Sequence, residues 1–256
     1  MHPILIDVGG VTLYTYGFFL AVGFLAAVWF SKRNARFYDV KSDDIFDLFF
    51  VILITGIVGA RLLYVLINFE NFRSSPLDVF KLWNGGLVFF GGFLSAVAGS
   101  VVTLKIKKLP FLKTADTLAP GVALGHGIGR MGCFFAGCCY GRLCDLPFGI
   151  QFTHPDSLAP LYVYLHPTQI YMAVANLALF FILVWLQQHK RFQGMVFLSY
   201  IFLYSGFRFI IEFFRGDFRG DFIFSFLSIS QGIGIVAGVT ALCLIVKLAR
   251  DTNALR

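Results

Sequence analysis

The sequence predicts an all-α polytopic membrane protein of about seven transmembrane helices, with its N-terminus outside and its C-terminus cytoplasmic. Three observations carry this: the composition, the length of the apolar segments and the placement of the basic residues. Of the 256 residues, 58% are hydrophobic and 14% charged, whereas soluble domains carry about 25% charge. The mean hydropathy is +0.78. This balance excludes a soluble globular enzyme and a disordered chain. A pI of 9.2 would suit nucleic acid only if the basic residues formed a patch on a soluble face. The 21 Lys and Arg are instead spread over short loops between apolar segments, so no nucleic-acid partner is expected. The 26 Gly agree with the membrane reading, because glycine is commoner in transmembrane helices than in soluble ones.

Seven apolar segments follow in order: 14–31, 45–67, 86–104, 118–135, 168–186, 195–214 and 228–246. Each is long enough to cross about 30 Å of hydrocarbon at about 1.5 Å per residue. The fourth is the weakest. It reads LAPGVALGHGIGRMGCFF and holds Pro120, His126, Arg130 and several glycines. A polar, glycine-rich span survives only when buried among other helices or lining a cavity. It is kept because removing it breaks the charge pattern. With the N-terminus outside, the inner loops carry thirteen basic residues: Lys32, Arg33, Arg36, Lys41, Lys105, Lys107, Lys108, Lys113, Lys190, Arg191, Lys247, Arg250 and Arg256. The outer loops carry five: Arg73, Lys81, Arg142, Arg215 and Arg219. That bias sets the orientation. The start, MHPILIDVGG, has no basic region before an apolar run, so no cleavable signal peptide is expected. The chain reads as one integral membrane domain, 1–256. Its outer connection 136–167 is long enough to be functional rather than a simple link.

Arg61, Arg130 and Arg208 lie inside spans together with Glu212. An arginine at the centre of a span costs at least about 2.5 kcal/mol, so each needs a reason. In the predicted topology all four lie toward the outer leaflet, level with Tyr14, Tyr16 and Gly17. Arg208 and Glu212 are four residues apart on one helix face and can pair. His126, Arg130 and Cys133 also share a face. The planar guanidinium suits phosphate and carboxylate, and a phosphate in the outer leaflet belongs to a phospholipid. The alternative is that these arginines snorkel or pair internally to fix helix packing.

Six segments carry a resemblance. They are TYGFFLAVGF at 15–24, GARLLYVL at 59–66, WNGGLVFFGG at 83–92, GRMGCFFAGCCYGR at 129–142, HPTQIY at 166–171 and GFRFIIEFFRGD at 206–217. In content and order they resemble the motifs of bacterial prolipoprotein diacylglyceryl transferases. The resemblance implies transfer of diacylglycerol from phosphatidylglycerol to the lipobox cysteine of a prolipoprotein, in the inner membrane and without a cofactor. It implies that Tyr16, Arg130, Gly141, Arg208 and Glu212 form a lipid-binding frame. Arg61, His166, Gln169, Tyr171 and Arg215 fall on further motif positions and are expected to bind substrate. The chain departs from the family at four places. Cys133 stands where most members have Asn, and Cys138–Cys139 where they have an acidic residue followed by a hydrophobic one. Phe90 stands where His or Tyr is frequent, and Met172 where Glu is common.

In the implied reaction the acceptor thiol displaces glycerol phosphate from the lipid's glycerol carbon. Arg130 and Arg208 would hold the phosphate, Glu212 would orient Arg208, and Tyr16 would donate to the headgroup or ester. His126 and His166 are both candidates for the base; the alternative for His126 is a hydrogen bond between helices. Cys133, Cys138, Cys139 and Cys144 fall within twelve residues. A disulfide closing the GCCYGRLC loop and a reactive thiol near Arg130 both remain open. The spacing fits no familiar zinc pattern, so no metal is expected. Two other functions compete: a paralogue with the same lipid donor and another acceptor, and a transporter or lipid-binding protein without chemistry. Transporters place their charges near the bilayer midplane between repeats, which is not the pattern here.

Overall fold

The computed structural model describes residues 1–8, 11–73, 75–81, 85–217, 222–223 and 227–254. Trp83, Arg219 and Arg256 lie outside them. Eight α-helices dominate the described residues: α1 (Thr15–Asn34), α2 (Ser42–Ile67), α3 (Phe69–Arg73), α4 (Phe89–Ile106), α5 (Phe111–Ala136), α6 (Thr168–Gln188), α7 (Met195–Glu212) and α8 (Ile229–Ala254). Six of them, α1, α2, α4, α6, α7 and α8, are long and apolar enough to cross a membrane. The protein is therefore an all-α, multi-pass membrane protein. The expected fourth span falls on the helix α5, which is not one of these six. Its 26 residues give it the length, and its glycines, Pro120, His126 and Arg130 keep its hydropathy low. Short antiparallel hairpins complete the chain: β1 (Ile4–Val8) with β2 (Val11–Tyr14), β3 (Ile150–Gln151) with β4 (Tyr164–Leu165), and β5 (Phe222–Ile223) with β6 (Leu227–Ser228).

The chain divides into two compact units. One is Ala35–Thr114. Here α2 packs on α4 through small residues. A Cβ at Gly59 would lie 2.6 Å from the Gly91 carbonyl oxygen, and one at Gly92 would lie 2.9 Å from that of Gly56. Hydrocarbon gives no hydrophobic drive for helix pairing, so close backbone approach is what holds such helices together. Lys107, after α4, bridges Asp44 and Asp47 at 2.6 Å each. These bonds raise its pKa.

The other unit is Met1–Asn34 with Ala115–Arg256. In it α1 crosses α5 at Gly23 and Gly125, where a Cβ on Gly23 would lie 2.6 Å from the Gly125 carbonyl oxygen. Ala119 and Ala123 of α5, Leu179 and Leu183 of α6 and Val196 of α7 form a buried core. Asp116 of α5 caps the start of α7 from a distance in sequence. Its carboxylate accepts the Gly194 and Phe197 N–H groups at 2.7 and 2.8 Å, two of the donors a helix start leaves unpaired. The connection 136–167 is folded rather than slack. Phe152, Ala159 and Leu165 make a small core with Met1, Tyr140, Leu161 and Val163 around them.

Candidate functional site

The end of α5, the start of α6, the end of α7 and the start of α8 are brought together at one end of the larger unit. Helices that alternate in direction place these termini at one level, and the polar residues of the sequence are concentrated on them. The basic residues Lys32, Arg33, Lys190, Arg191 and Lys247 belong to the opposite ends of the same helices.

Arg208 and Glu212 pair as their spacing on α7 predicts. Both are largely withdrawn from solvent, with side-chain exposures of 10% and 9%, so the pair needs further support. Ser228, the last residue of β6, and Ser230, in the first turn of α8, donate to Glu212 Oε1 at 2.8 and 2.6 Å. Arg208 Nη2 donates to Ser230 Oγ at 3.3 Å. Arg215 grips Asp217 with two bonds of 2.9 and 2.8 Å and lies 3.9 Å from Glu212.

Arg130 occupies the end of α5. Its Nε donates to His126 Nε2 at 3.2 Å, and its Nη1 approaches Cys139 Sγ at 3.7 Å. Nη2 has no protein partner among the described residues. His126 thus accepts from Arg130 with one ring nitrogen, and its ring lies against Tyr204 at 5.4 Å between centroids. Tyr200 stacks on Tyr204 at 5.7 Å. Tyr16, at the start of α1, lies within electrostatic reach of Arg130 and of Cys133, Cys138 and Cys139.

The three cysteines converge. Their Sγ atoms all lie within 4.8 Å of one another. Cys133 is in the last turn of α5, and the chain then reverses through Gly137 (φ +76°) and Cys139 (φ +61°). A non-glycine residue in the left-handed region is uncommon and is kept there by its surroundings. Here Thr168 Oγ1 donates to the Cys139 carbonyl at 2.7 Å and Gln169 Nε2 to the Cys138 carbonyl at 2.8 Å. All five cysteines are thiols rather than half-cystines, so the loop disulfide considered from sequence is not formed. The Cys139 thiol is pushed down by hydrogen bonding from Cys133 and Cys138 and by the Arg215 guanidinium. Hydrogen bonding with Cys133 and Cys139 pushes the Cys138 thiol up.

Gly141 is pinched between two backbones. It pairs with Arg215 as an isolated bridge and donates its N–H to the His166 carbonyl at 3.0 Å. A Cβ there would lie 2.7 Å from the Phe214 carbonyl oxygen, so a side chain would force the strands apart. His166 Nδ1 and the Tyr171 hydroxyl are 3.1 Å apart, and Phe214 packs on the imidazole.

The model of the prolipoprotein diacylglyceryl transferase family matches residues 3–247. The chain belongs to that family. A Clostridium tetani protein named phosphatidylglycerol–prolipoprotein diacylglyceryl transferase is 38% identical, over 92% of this chain and 93% of its own length. Proteins of the same name from Geobacter sulfurreducens and Vibrio atlanticus are 37% and 36% identical. The alignments cover 84% of this chain in both cases, and 82% and 78% of the relatives. The chain is thus related to transferases along nearly its whole length.

Set against the family motifs, the structure gathers Tyr16, His126, Arg130, Cys133, Cys138, Cys139, Gly141, His166, Gln169, Tyr171, Arg208, Glu212 and Arg215 in the larger unit. Arg61 belongs to the other unit. Its five N–H donors meet five backbone carbonyls: Val79 from Nε at 2.8 Å, Gly85 and Gly86 from Nη1 at 2.7 and 3.2 Å, and Asp78 and Lys81 from Nη2 at 2.6 and 3.2 Å. Its guanidinium also lies 5.4 Å from the Tyr64 and Phe72 ring centres. It holds the backbone of 78–81 and 85–86, which is the internal-pairing alternative for this residue. Phe90 is exposed on α4, and Met172 is fully buried in α6.

Sequence reasoning missed Tyr200, Tyr204, Ser228 and Ser230. The signal was available for the tyrosines: Tyr200, Tyr204, Arg208 and Glu212 recur every four residues along one face of α7. The serines stand in the sequence SISQG at 228–232, which has no charge to single them out.

Proposed function

We propose that the protein transfers diacylglycerol from phosphatidylglycerol to the lipobox cysteine of a prolipoprotein, at the outer leaflet of the plasma membrane. The observation that carries this reading is Arg130. It is a half-buried guanidinium whose other contacts are an imidazole nitrogen and a sulfur, and its Nη2 is open. Two oxygens of one phosphate suit such a fork. Arg208, held by Glu212 and the two serines, supplies the second positive charge. Arg215 is fixed by Asp217 at the rim.

Charge develops on the glycerol phosphate as it leaves, and preorganised donors in a water-poor site stabilise it most effectively. His126 positions Arg130 through Nε, and Tyr16 donates to the headgroup. An apolar cavity of about 450 Å³ between α7 and α8, lined by Phe202, Ser205, Phe209, Gly234 and Gly238, offers room for an acyl chain. His166 and Tyr171, joined at 3.1 Å, would contact the acceptor peptide, and the buried Gln169 would act through the Cys138 carbonyl that it holds.

The decisive experiment uses purified protein, labelled phosphatidylglycerol and a lipobox peptide. Thioether product with the cysteine peptide and none with its serine counterpart is expected. Consumption of the lipid with other thiols but not with the lipobox peptide would favour a transferase with a different acceptor, a reading supported by the three cysteines in place of the family's polar groups. The outer location rests on the placement of basic residues. A reporter fused to the C-terminus is expected to read cytoplasmic, and one inserted at Ser157 to read external. Both on one side would overturn the orientation.

A further inference from the structure

We propose that Cys133, Cys138 and Cys139 form a three-thiolate zinc site whose fourth position takes the acceptor's own thiol. The role of that fourth position rests on the transferase reading above; the metal site itself does not.

The geometry comes first. Three Sγ atoms within 4.8 Å of one another surround a single point. Around a tetrahedral zinc with Zn–S bonds of about 2.3 Å, sulfurs lie roughly 3.8 Å apart. The trio needs a contraction of about 1 Å at most to close on an ion. A disulfide would use two of these sulfurs and strand the third, whereas one soft cation uses all three. The sequence spacing hid this arrangement. The ligands come from a helix end and from a left-handed turn that folds back on it, not from the paired loops of a structural zinc site. The turn is held independently of any metal: Thr168 and Gln169 fix the Cys139 and Cys138 carbonyls at 2.7 and 2.8 Å.

Electrostatics agree. Zinc with three thiolates carries one net negative charge. Arg130 Nη1 lies 3.7 Å from Cys139 Sγ, so a counter-charge is already built in.

Three protein ligands and an open position are the composition of a catalytic rather than a structural zinc site. A thiol that coordinates zinc loses its proton, and the thiolate is the nucleophile in sulfur chemistry. The acceptor thiol would release its proton to water on binding. Its sulfur then attacks the glycerol carbon bearing the phosphate. A C–S bond forms and the C–O bond breaks. Glycerol phosphate leaves with the electron pair, beside Arg130 and Arg208. The thioether is a weaker ligand than the thiolate, which frees the product. No oxidant or reductant is needed.

The test uses the full-length protein purified under anaerobic conditions and passed over a chelating resin. Wild type is expected to retain about one zinc per chain. Cys133→Ser, Cys138→Ser and Cys139→Ser should each lower metal affinity about tenfold or more, whereas Cys144→Ser should not. A second measurement needs no variant. With cobalt in the site, the sulfur-to-metal absorption band should grow by roughly a third when a lipobox cysteine peptide adds a fourth thiolate, and stay unchanged with the serine peptide. Wild type without zinc and without a cobalt–thiolate band, or with two of these cysteines joined as a disulfide, would overturn the site. Zinc retained but a cobalt band indifferent to the cysteine peptide would overturn the activating role. Zinc and peptide binding without any thioether product would support the site and overturn the transferase reading instead.

Discussion

Arg61 and Arg130 are the same residue type, one in the apolar α2 and one in the more polar α5, and their surroundings differ. Arg61 directs all five donors at the backbone carbonyls of Asp78, Val79, Lys81, Gly85 and Gly86. Arg130 touches one imidazole nitrogen and one sulfur and keeps Nη2 open. An arginine within the membrane is therefore not evidence for a ligand by itself. The donor inventory separates the two cases: a guanidinium satisfied by backbone holds the chain together, and one left partly open can hold something that arrives.

The largest expected effect breaks this comparison at Arg130. Arg130→Lys should lose about 10²–10³ in turnover, nearly as much as Arg130→Ala, because the ammonium keeps the charge but not the fork. Thermal stability of the lysine variant should change little. Steady-state kinetics and a melting curve on the same preparation check both statements. Full activity in the lysine variant would mean that a point charge suffices, and the phosphate fork would be wrong.

Arg61 should fail the other way. Arg61→Ala removes the partner of five carbonyls and should destabilise the protein by about 3 kcal/mol or more. Turnover per folded molecule should stay within about tenfold, well short of the loss expected at Arg130. A denaturation series with activity normalised to folded protein separates the two. A large fall in turnover with unchanged stability would make Arg61 a substrate ligand after all.

This contrast also marks what the sequence could tell. The helices were legible because hydrocarbon demands long apolar runs, and even the polar α5 was found from charge placement. Arg208–Glu212 was legible because i,i+4 spacing is a local property of a helix. Arg61 was not, since its acceptors are backbone carbonyls, which no side-chain pattern announces. The cysteine trio was equally hidden. Its convergence depends on a positive φ at Cys139, and on Thr168 and Gln169 reaching back about thirty residues. The larger unit's candidate residues could thus be named from sequence, but their arrangement could not.

The smallest expected effect extends the comparison to the two buried carboxylates of the larger unit. Glu212 accepts from side chains, Arg208, Ser228 and Ser230, all at the candidate site. Asp116 accepts from two backbone N–H groups at the start of α7. By the same accounting Asp116 is a cap, and Glu212 belongs with the side chains of the candidate site. Asp116→Asn keeps the shape and one acceptor oxygen, but it turns an NH₂ group toward one of the two N–H donors. The loss should be about 1–2 kcal/mol, the usual worth of a helix cap. Turnover and affinity for lipid should be unchanged in the folded fraction, because Asp116 and the candidate site lie at opposite ends of α5 and of α7. Calorimetry and the transferase assay together decide. A variant as stable as wild type but slower would show that the α7 cap is coupled to Arg208 along the helix, and the division between holding and reacting charges would have to be drawn elsewhere.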